Sequence, residues 1–149
     1  MKEFVLSIDA GTTGITVVLI NKYADVVAKE YSEFKQIYPK PGWVEHNPIE
    51  IWEVTKRLID NILCKYPIEK IDSIGITNQR ETTVVWDKNS GKPIYNAIVW
   101  QCRRTSNYCD ELKKEGLSKL FETKTGLVID SYFSGTKINW ILDNVDNAR

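Results

Sequence analysis

Histidine is nearly missing from this chain: His46 is the only one in 149 residues. A site built from several imidazoles is therefore excluded, as a metal centre or otherwise. Cysteine is sparse and odd in number, and Cys64, Cys102 and Cys109 have no Cys-x-x-Cys spacing. A disulfide framework does not fit that pattern, so a reducing, cytoplasmic setting is expected. The absence of any Asn-x-Ser/Thr sequon agrees with it. Charge of one sign is lacking too, because 20 basic and 20 acidic residues cancel. Nucleic acid and anionic membranes both need a basic face, so neither is an expected partner. No apolar run approaches the length of a membrane span, and the strand-like segment after Met1-Lys2-Glu3 does not read as a signal peptide.

What remains is the composition of an ordinary soluble domain, 42% apolar and 27% charged, long enough for one proper core. Strands are expected at Glu3 to Asp9, Ile15 to Ile20 and Asp25 to Phe34, the first two forming a hairpin around a Gly- and Thr-rich turn. Asn47 to Tyr66 reads as a helix with Asn47 as N-cap, Pro48 in its first turn and Glu50 completing a capping-box-like arrangement. Ile51, Trp52, Thr55, Leu58, Ile59, Ile62 and Leu63 mark its buried face, and Pro67 ends it. Ile71 to Thr77 returns to strand, a buried one. Thr82 to Trp86 and Ile94 to Trp100 form a strand pair around the turn from Asp87 to Pro93. Three helices follow: Arg104 to Glu115 closed by Gly116, Leu117 to Lys124 closed by Gly126, and Ser134 to Val145. The last carries Ile138, Ile141, Leu142 and Val145 on one stripe. The order describes a mixed α/β domain. His46, just before the first helix, reads as a loop or packing residue.

Four stretches carry possible chemistry. Asn78-Gln79-Arg80-Glu81-Thr82-Thr83 follows the apolar strand and crowds donors and acceptors at its carboxyl end, the edge where α/β sheets bind ligands. That set suits a small, neutral, polyhydroxylated ligand. Neighbouring side chains of an extended strand point oppositely, so Arg80 and Glu81 share a ligand only if the chain turns there. The plainer reading is a surface loop with a loose ion pair. Asp9-Ala10-Gly11-Thr12-Thr13-Gly14 can cradle phosphates: glycine admits the backbone N–H groups, the threonine hydroxyls donate, and the carboxylate holds Mg²⁺ through water. No Gly-Lys-Ser/Thr follows and a strand comes next, which excludes a Walker loop and a dinucleotide fingerprint. A hairpin turn is its plain alternative. Trp100-Gln101-Cys102-Arg103-Arg104-Thr105 offers a flat wall and two charges, or else a core tryptophan and a solvated helix start. Tyr132 in Asp130-Ser131-Tyr132-Phe133-Ser134-Gly135-Thr136-Lys137 completes a polyol site, or its segment merely caps a helix.

Together these stretches resemble the carbohydrate kinases of the FGGY type. The likeness rests on Asp9-x-Gly11-Thr12-Thr13, Pro41-Gly42-Trp43-Val44-Glu45-His46, the runs Gly75 to Trp86 and Gly91 to Thr105, Thr125 to Asp130, and Tyr132 to Lys137. It extends from about Phe4 to Asp143. The first motif is shared with actin-like and Hsp70-like ATPases. The runs Asn78 to Thr83 and Ala97 to Thr105 are similar to the members that phosphorylate glycerol. The resemblance implies a ribonuclease H-like (actin-like ATPase) fold, a mixed sheet with flanking helices, and ATP-dependent conversion of glycerol, or another polyol or sugar, to its phosphate. It implies that Arg80 and Glu81 bind hydroxyls, Trp100 packs on the carbon chain and Tyr132 adds a hydrogen bond. Asp9 would serve Mg²⁺, and Gly11, Thr12, Thr13 and Gly14 the ATP phosphates.

The chain departs from the family pattern at Ala10, at Gly14-Ile15-Thr16 (where an Arg is common) and at Ser131 (where Pro is common). Family members are far longer, with the nucleotide between two domains and the catalytic-base aspartate in a later segment. The expectation is therefore an N-terminal portion, residues 1–149, of a kinase that is homo-oligomeric at full length. Lacking the base and the second domain, it would be inactive alone, or serve as a non-catalytic binding module.

Overall fold

The computed structural model describes residues 2–149. In chain order the elements are β1 (Phe4–Ala10), β2 (Gly14–Asn21), β3 (Val26–Glu33), β4 (Glu45–His46), α1 (Pro48–Leu63), β5 (Ile71–Asn78), β6 (Ala97–Ile98), α2 (Ser106–Lys114), α3 (Ser118–Thr125) and α4 (Ser134–Asn144). They fall into two compact units. The first runs up to Lys35 and resumes over Asn47–Gln79; the second comprises Gln36–His46 and Arg80–Arg149.

In the first unit, β1, β2, β3 and β5 form one sheet in the order β3-β2-β1-β5. β1 runs antiparallel to β2, with Ile8 opposite Val17, and parallel to β5, with Asp9 beside Thr77. The sheet is mixed, as the sequence predicts. Strand alternation puts Leu6 and Ile8 of β1, and Ile15, Val17 and Leu19 of β2, on one face. There they meet Val54, Leu58 and Ile62 of α1, which recur at helical spacing, and Phe34 closes the cluster. The Asn47 side chain caps α1 by accepting from the Ile49 N–H at 2.9 Å.

Four expectations are corrected in this unit. Glu50 does not reach back to complete a capping box, because its Oε1 accepts from the Lys35 N–H at 2.9 Å. Trp52 lies 62% exposed, since the buried stripe runs through Val54 instead. α1 stops at Leu63, before Pro67, which opens a short 3₁₀ turn at Ile68–Lys70. β5 forms where expected but is not buried: it is the sheet's edge, and Ile74 and Ile76 stand 59% and 73% exposed. The reason is coverage, for α1 packs mainly over β2 and β3, and of β5 only Ile71 packs against the core cluster.

In the second unit the expected strand pair is reduced to isolated bridges, Thr83 to Ile98 and Trp86 to Pro93. β6 spends its pairing on β4 instead, with Glu45 opposite Ile98 and His46 opposite Ala97. α2 begins at Ser106, so Arg104 is not a solvated helix start; its side chain is fully buried. Gly116 and Gly126 follow α2 and α3 at φ 80° and 73°, left-handed positions that suit glycine. Of the expected α4 stripe, Ile141 is fully buried and Val145 packs against its core, but Ile138 is 41% exposed and Lys137 is buried beside Ile141 instead. Cys64, Cys102 and Cys109 are free thiols. Among the described residues no helix is long and apolar enough to cross a membrane.

Two substitutions on α1 separate its faces. Leu58→Ala should cost about 2–5 kcal/mol, whereas Trp52→Ala should stay within about 0.5 kcal/mol. Urea denaturation followed by circular dichroism measures both. Equal losses would contradict the face assigned here.

Candidate functional site

At Arg80 and Glu81 the extended chain gives way to a turn. Glu81 adopts φ 64°, a left-handed conformation that costs a residue other than glycine about 1–3 kcal/mol. The condition for Arg80 and Glu81 to share a ligand, that the chain turn between strand and ligand, is thereby met. Contacts from α4 hold the turn. Glu81 Oε2 accepts from the Ser134 N–H at 2.8 Å and from its Oγ–H at 2.7 Å. Ser134 is the first residue of α4, and the preceding Phe133 supplies no side-chain cap, so Glu81 caps the helix from a distant part of the chain. Hydrogen bonds from Ser134 hold the Glu81 carboxyl below its ordinary range, aided by the charges of Lys137 and Arg80. Arg80 itself is exposed.

Behind the turn lies a lysine with no exposed surface. Lys137 Nζ donates to the Glu81 carbonyl at 2.9 Å and to the Tyr132 carbonyl. The Tyr132 ring meets Trp100 edge-on, with centroids 5.9 Å apart, and Trp100 is half-buried. The Trp100 N–H donates to Thr82 Oγ1 at 3.3 Å. Asp130 Oδ1 accepts from the Tyr132 N–H at 2.8 Å and from Arg103 Nη1 at 3.0 Å. Glu81, Trp100 and Tyr132 are thus drawn into one network, with Arg80 beside Glu81. Ser131 is buried at the base of this segment.

The network is backed by a second buried cation. Arg104 Nη2 lies 2.5 Å from Glu45 Oε1, the two side chains 0% and 2% exposed. Tyr95 OH donates to the same oxygen at 2.8 Å and Asn96 Nδ2 to Oε2 at 2.9 Å. The guanidinium sits over the Trp43 and Trp140 rings, 4.0 and 4.4 Å from their centroids. Burial alone would raise the Glu45 carboxyl, but hydrogen bonds from Asn96, Arg104 and Tyr95 outweigh it and hold the carboxylate charged. The Gly42 carbonyl accepts from the Arg103 N–H at 2.8 Å, tying the 36–46 excursion to the end of the Trp100 segment. His46 is buried against Gln36, its Nε2 2.7 Å from Oε1, a packing role as expected.

The residues expected at the phosphates all lie in the first unit. Asp9 stands exposed near the end of β1, level with Thr16 on β2 and Thr77 on β5. Gly14 allows no side chain, for a Cβ would meet Ser32 O at 2.7 Å and the Tyr31 ring at 2.8 Å. A Cβ on Gly11 would lie 3.1 Å from Gly14 O. Gln79 Nε2 donates to the Gly11 carbonyl at 3.3 Å, so the polar hexapeptide supports this loop as well. Thr12 and Thr13 form its bend. Among the described residues no three His, Cys, Asp or Glu side chains cluster as a metal centre.

Sequence reading missed Lys137, Ser134 and Glu45 as participants, and offered Arg104 only as a charge beside Trp100 or as a solvated helix start. No local pattern common to them marks these residues, because their partners lie far along the chain and only folding brings them together.

Residues 4–149 match the sequence model of the N-terminal domain of the FGGY family of carbohydrate kinases. The chain is 58% identical to a glycerol kinase of Carboxydothermus hydrogenoformans and 59% identical to glycerol kinase 2 of Thermotoga maritima, over 99% of its length in each case. It spans about 30% of the length of those relatives. Among solved structures it superposes on Plasmodium falciparum glycerol kinase with ADP at a TM-score of 0.89, with 36% identity, covering 97% of this chain and 29% of that one. A xylulose kinase of Lactobacillus acidophilus shares the fold at a TM-score of 0.86 and 21% identity, over 95% of this chain and 28% of that one. The expected ribonuclease H-like, actin-like ATPase architecture is borne out.

The buried cations have measurable consequences for stability. Arg104→Ala leaves the Glu45 carboxylate buried without its ion partner and should cost about 3–5 kcal/mol. Replacing Arg104 and Glu45 together with apolar residues should cost less than the single change, as a double-mutant cycle by urea denaturation would measure. Burial pushes the Lys137 amine down to about 8, against the opposing carboxylate charges of Glu81 and Asp130. The folded chain therefore releases this proton before the unfolded chain does. Holding the ammonium is a full cost below pH about 8, relieved as pH rises toward the ordinary lysine value of about 10.4. Lys137→Met should remove that rise in stability from the difference between the two proteins' pH profiles.

Proposed function

The chain belongs to the FGGY family of carbohydrate kinases, and from that premise we propose that it forms the glycerol-binding portion of an enzyme that phosphorylates glycerol with ATP. The products are glycerol 3-phosphate and ADP. The observation that carries this reading is identity of 58–59% to proteins named glycerol kinase, sustained over 99% of the chain. The geometry of the second unit supports it. Glu81 commits one carboxylate oxygen to α4, and a carboxylate has acceptor capacity beyond two hydrogen bonds. A glycerol hydroxyl uses that capacity, with Arg80 donating to a neighbouring hydroxyl. Trp100 packs against the carbon chain, and Tyr132, held edge-on to it, donates or accepts a further hydrogen bond.

In the first unit, Gly11, Thr12, Thr13 and Gly14 receive ATP phosphates, and Asp9 serves Mg²⁺. The donor set fits such an ion: Mg²⁺ takes one or two carboxylates, its remaining positions filled by water and phosphate oxygens, and Asp9 is a single exposed carboxylate at a strand end. When bound, the metal neutralises phosphate charge. The general base, worth about 10²–10⁴-fold, comes from a segment outside these residues, as does the second domain that closes over the nucleotide.

Phosphorylation assays on a polypeptide of the relatives' length that includes this chain test the reading. Glycerol should be strongly preferred over xylulose, erythritol and gluconate, and Arg80→Ala should abolish measurable glycerol binding while leaving the denaturation midpoint unchanged. The 149-residue chain alone should show negligible turnover. Preference for another acceptor would move the assignment within the family, and robust turnover by the short chain would overturn the division of labour.

A further inference from the structure

Lys137 takes a position that the apolar pattern of α4 would fill with a hydrophobic side chain. It shares the helix's inward face with Ile141, and it is fully buried. A buried ammonium persists only where acceptors surround it, and the acceptors chosen here are specific. They are the backbone carbonyls of Glu81 and Tyr132, two residues of the proposed polyol site. Lys137 cannot touch a ligand itself, because none of its surface is open.

We propose that Lys137 is the positioning residue of the polyol site, fixing through two backbone carbonyls the left-handed turn at Glu81 and the seat of Tyr132. This rests on the polyol reading above and assigns the residue that makes that site rigid. The direction of the Glu81 carbonyl is set by the same backbone angles that swing the Glu81 side chain off the strand line. Anchoring the carbonyl therefore keeps the carboxylate on Ser134 and beside Arg80. Thr83 Oγ1 adds a weaker contact to the same oxygen at 3.4 Å. At the other end, the anchored Tyr132 carbonyl, together with the Asp130 bond to the Tyr132 N–H, pins both sides of the residue whose ring meets Trp100. The ammonium also lies 5.9 Å from the centroid of that ring. One side chain thus spans the acidic and aromatic halves of the site.

The test uses Lys137→Met, which keeps length and burial and removes the donors, with wild type and Arg80→Ala as references. The first readout needs no ligand. In wild type a left-handed Glu81 gives a strong intraresidue amide-to-Hα nuclear Overhauser effect. In Lys137→Met that effect should weaken, and amide exchange over Arg80–Thr82 should accelerate at least tenfold. The second is glycerol affinity by calorimetry, which should fall about tenfold to a hundredfold, the scale on which misplaced binding groups lose function. An unchanged Glu81 signal with unchanged glycerol affinity overturns the proposal, even if Arg80→Ala loses binding and so upholds the polyol site. Conversely, a loosened turn in a protein whose wild type never binds glycerol overturns the polyol reading and leaves Lys137 a structural clamp, which also defeats the positioning role. If Lys137→Met does not fold, the ammonium protons of the wild-type protein serve as the probe instead. Glycerol should shift their resonance in wild type and not in Arg80→Ala, and no shift in wild type rejects the proposal.

Discussion

A charge removed from water dictates where its partners must stand, and two such charges organise the second unit. Lys137 is wholly enclosed and reaches the carbonyls of Glu81 and Tyr132. Arg104 is enclosed by Trp43 and Trp140 and neutralised by Glu45. Neither arrangement is the cheapest way to fill a core, since apolar residues of similar volume often serve stability as well or better. What the cations provide is geometry. Lys137 sets a turn that no local propensity would choose, and Arg104 joins the segment after Trp100 to the excursion containing Trp43 and Glu45. The Glu81 carboxylate works in the same sense, lending a cap to α4 while the helix start holds its direction.

The first unit is governed by a different constraint, the space around its glycine loop. Gly14 faces the Ser32 carbonyl and the Tyr31 ring too closely for any side chain, so β2 can begin beside β3 only with glycine at this position. β5 ends where Gln79 supports the Gly11 carbonyl, and the next residue, Arg80, opens the second unit. One short polar run therefore serves both sets of candidate residues in turn. The exposed Ile74 and Ile76 on β5 belong to a chain that spans about 30% of its curated relatives' length.

Much of this was legible in the sequence where the determinants were local. Alternation in β1 and β2, helical spacing in α1, Asn47 as a cap and the glycines after α2 and α3 all act over a few residues, and each element formed close to its expected place, with α1 ending at Leu63 and α2 starting at Ser106. Errors arose where a residue's fate depended on distant partners. Glu50 found the Lys35 N–H in place of its own helix end. Ile74 and Ile76 looked buried because the strand was apolar, yet the sheet order left them on an exposed edge strand. Arg104 looked like a solvated helix start because its cage, Trp43, Tyr95 and Trp140, is scattered along the chain. Lys137 escaped notice for the same reason. At the site, the residue types and the requirement for a turn at Arg80–Glu81 were readable from chemistry. The roles of the four candidate residues came from family resemblance, and the device that builds the turn came only from the fold.

The most direct test of the polyol site is a map of amide and indole NMR shifts as glycerol is added to the wild-type chain. Shifts should concentrate at Arg80, Glu81, Ser134, Tyr132 and the Trp100 indole, and leave the Phe121–Ile129 surface around the 190 Å³ apolar cavity unchanged. Shifts centred on that cavity, or none at any glycerol concentration, would contradict the polyol site described here.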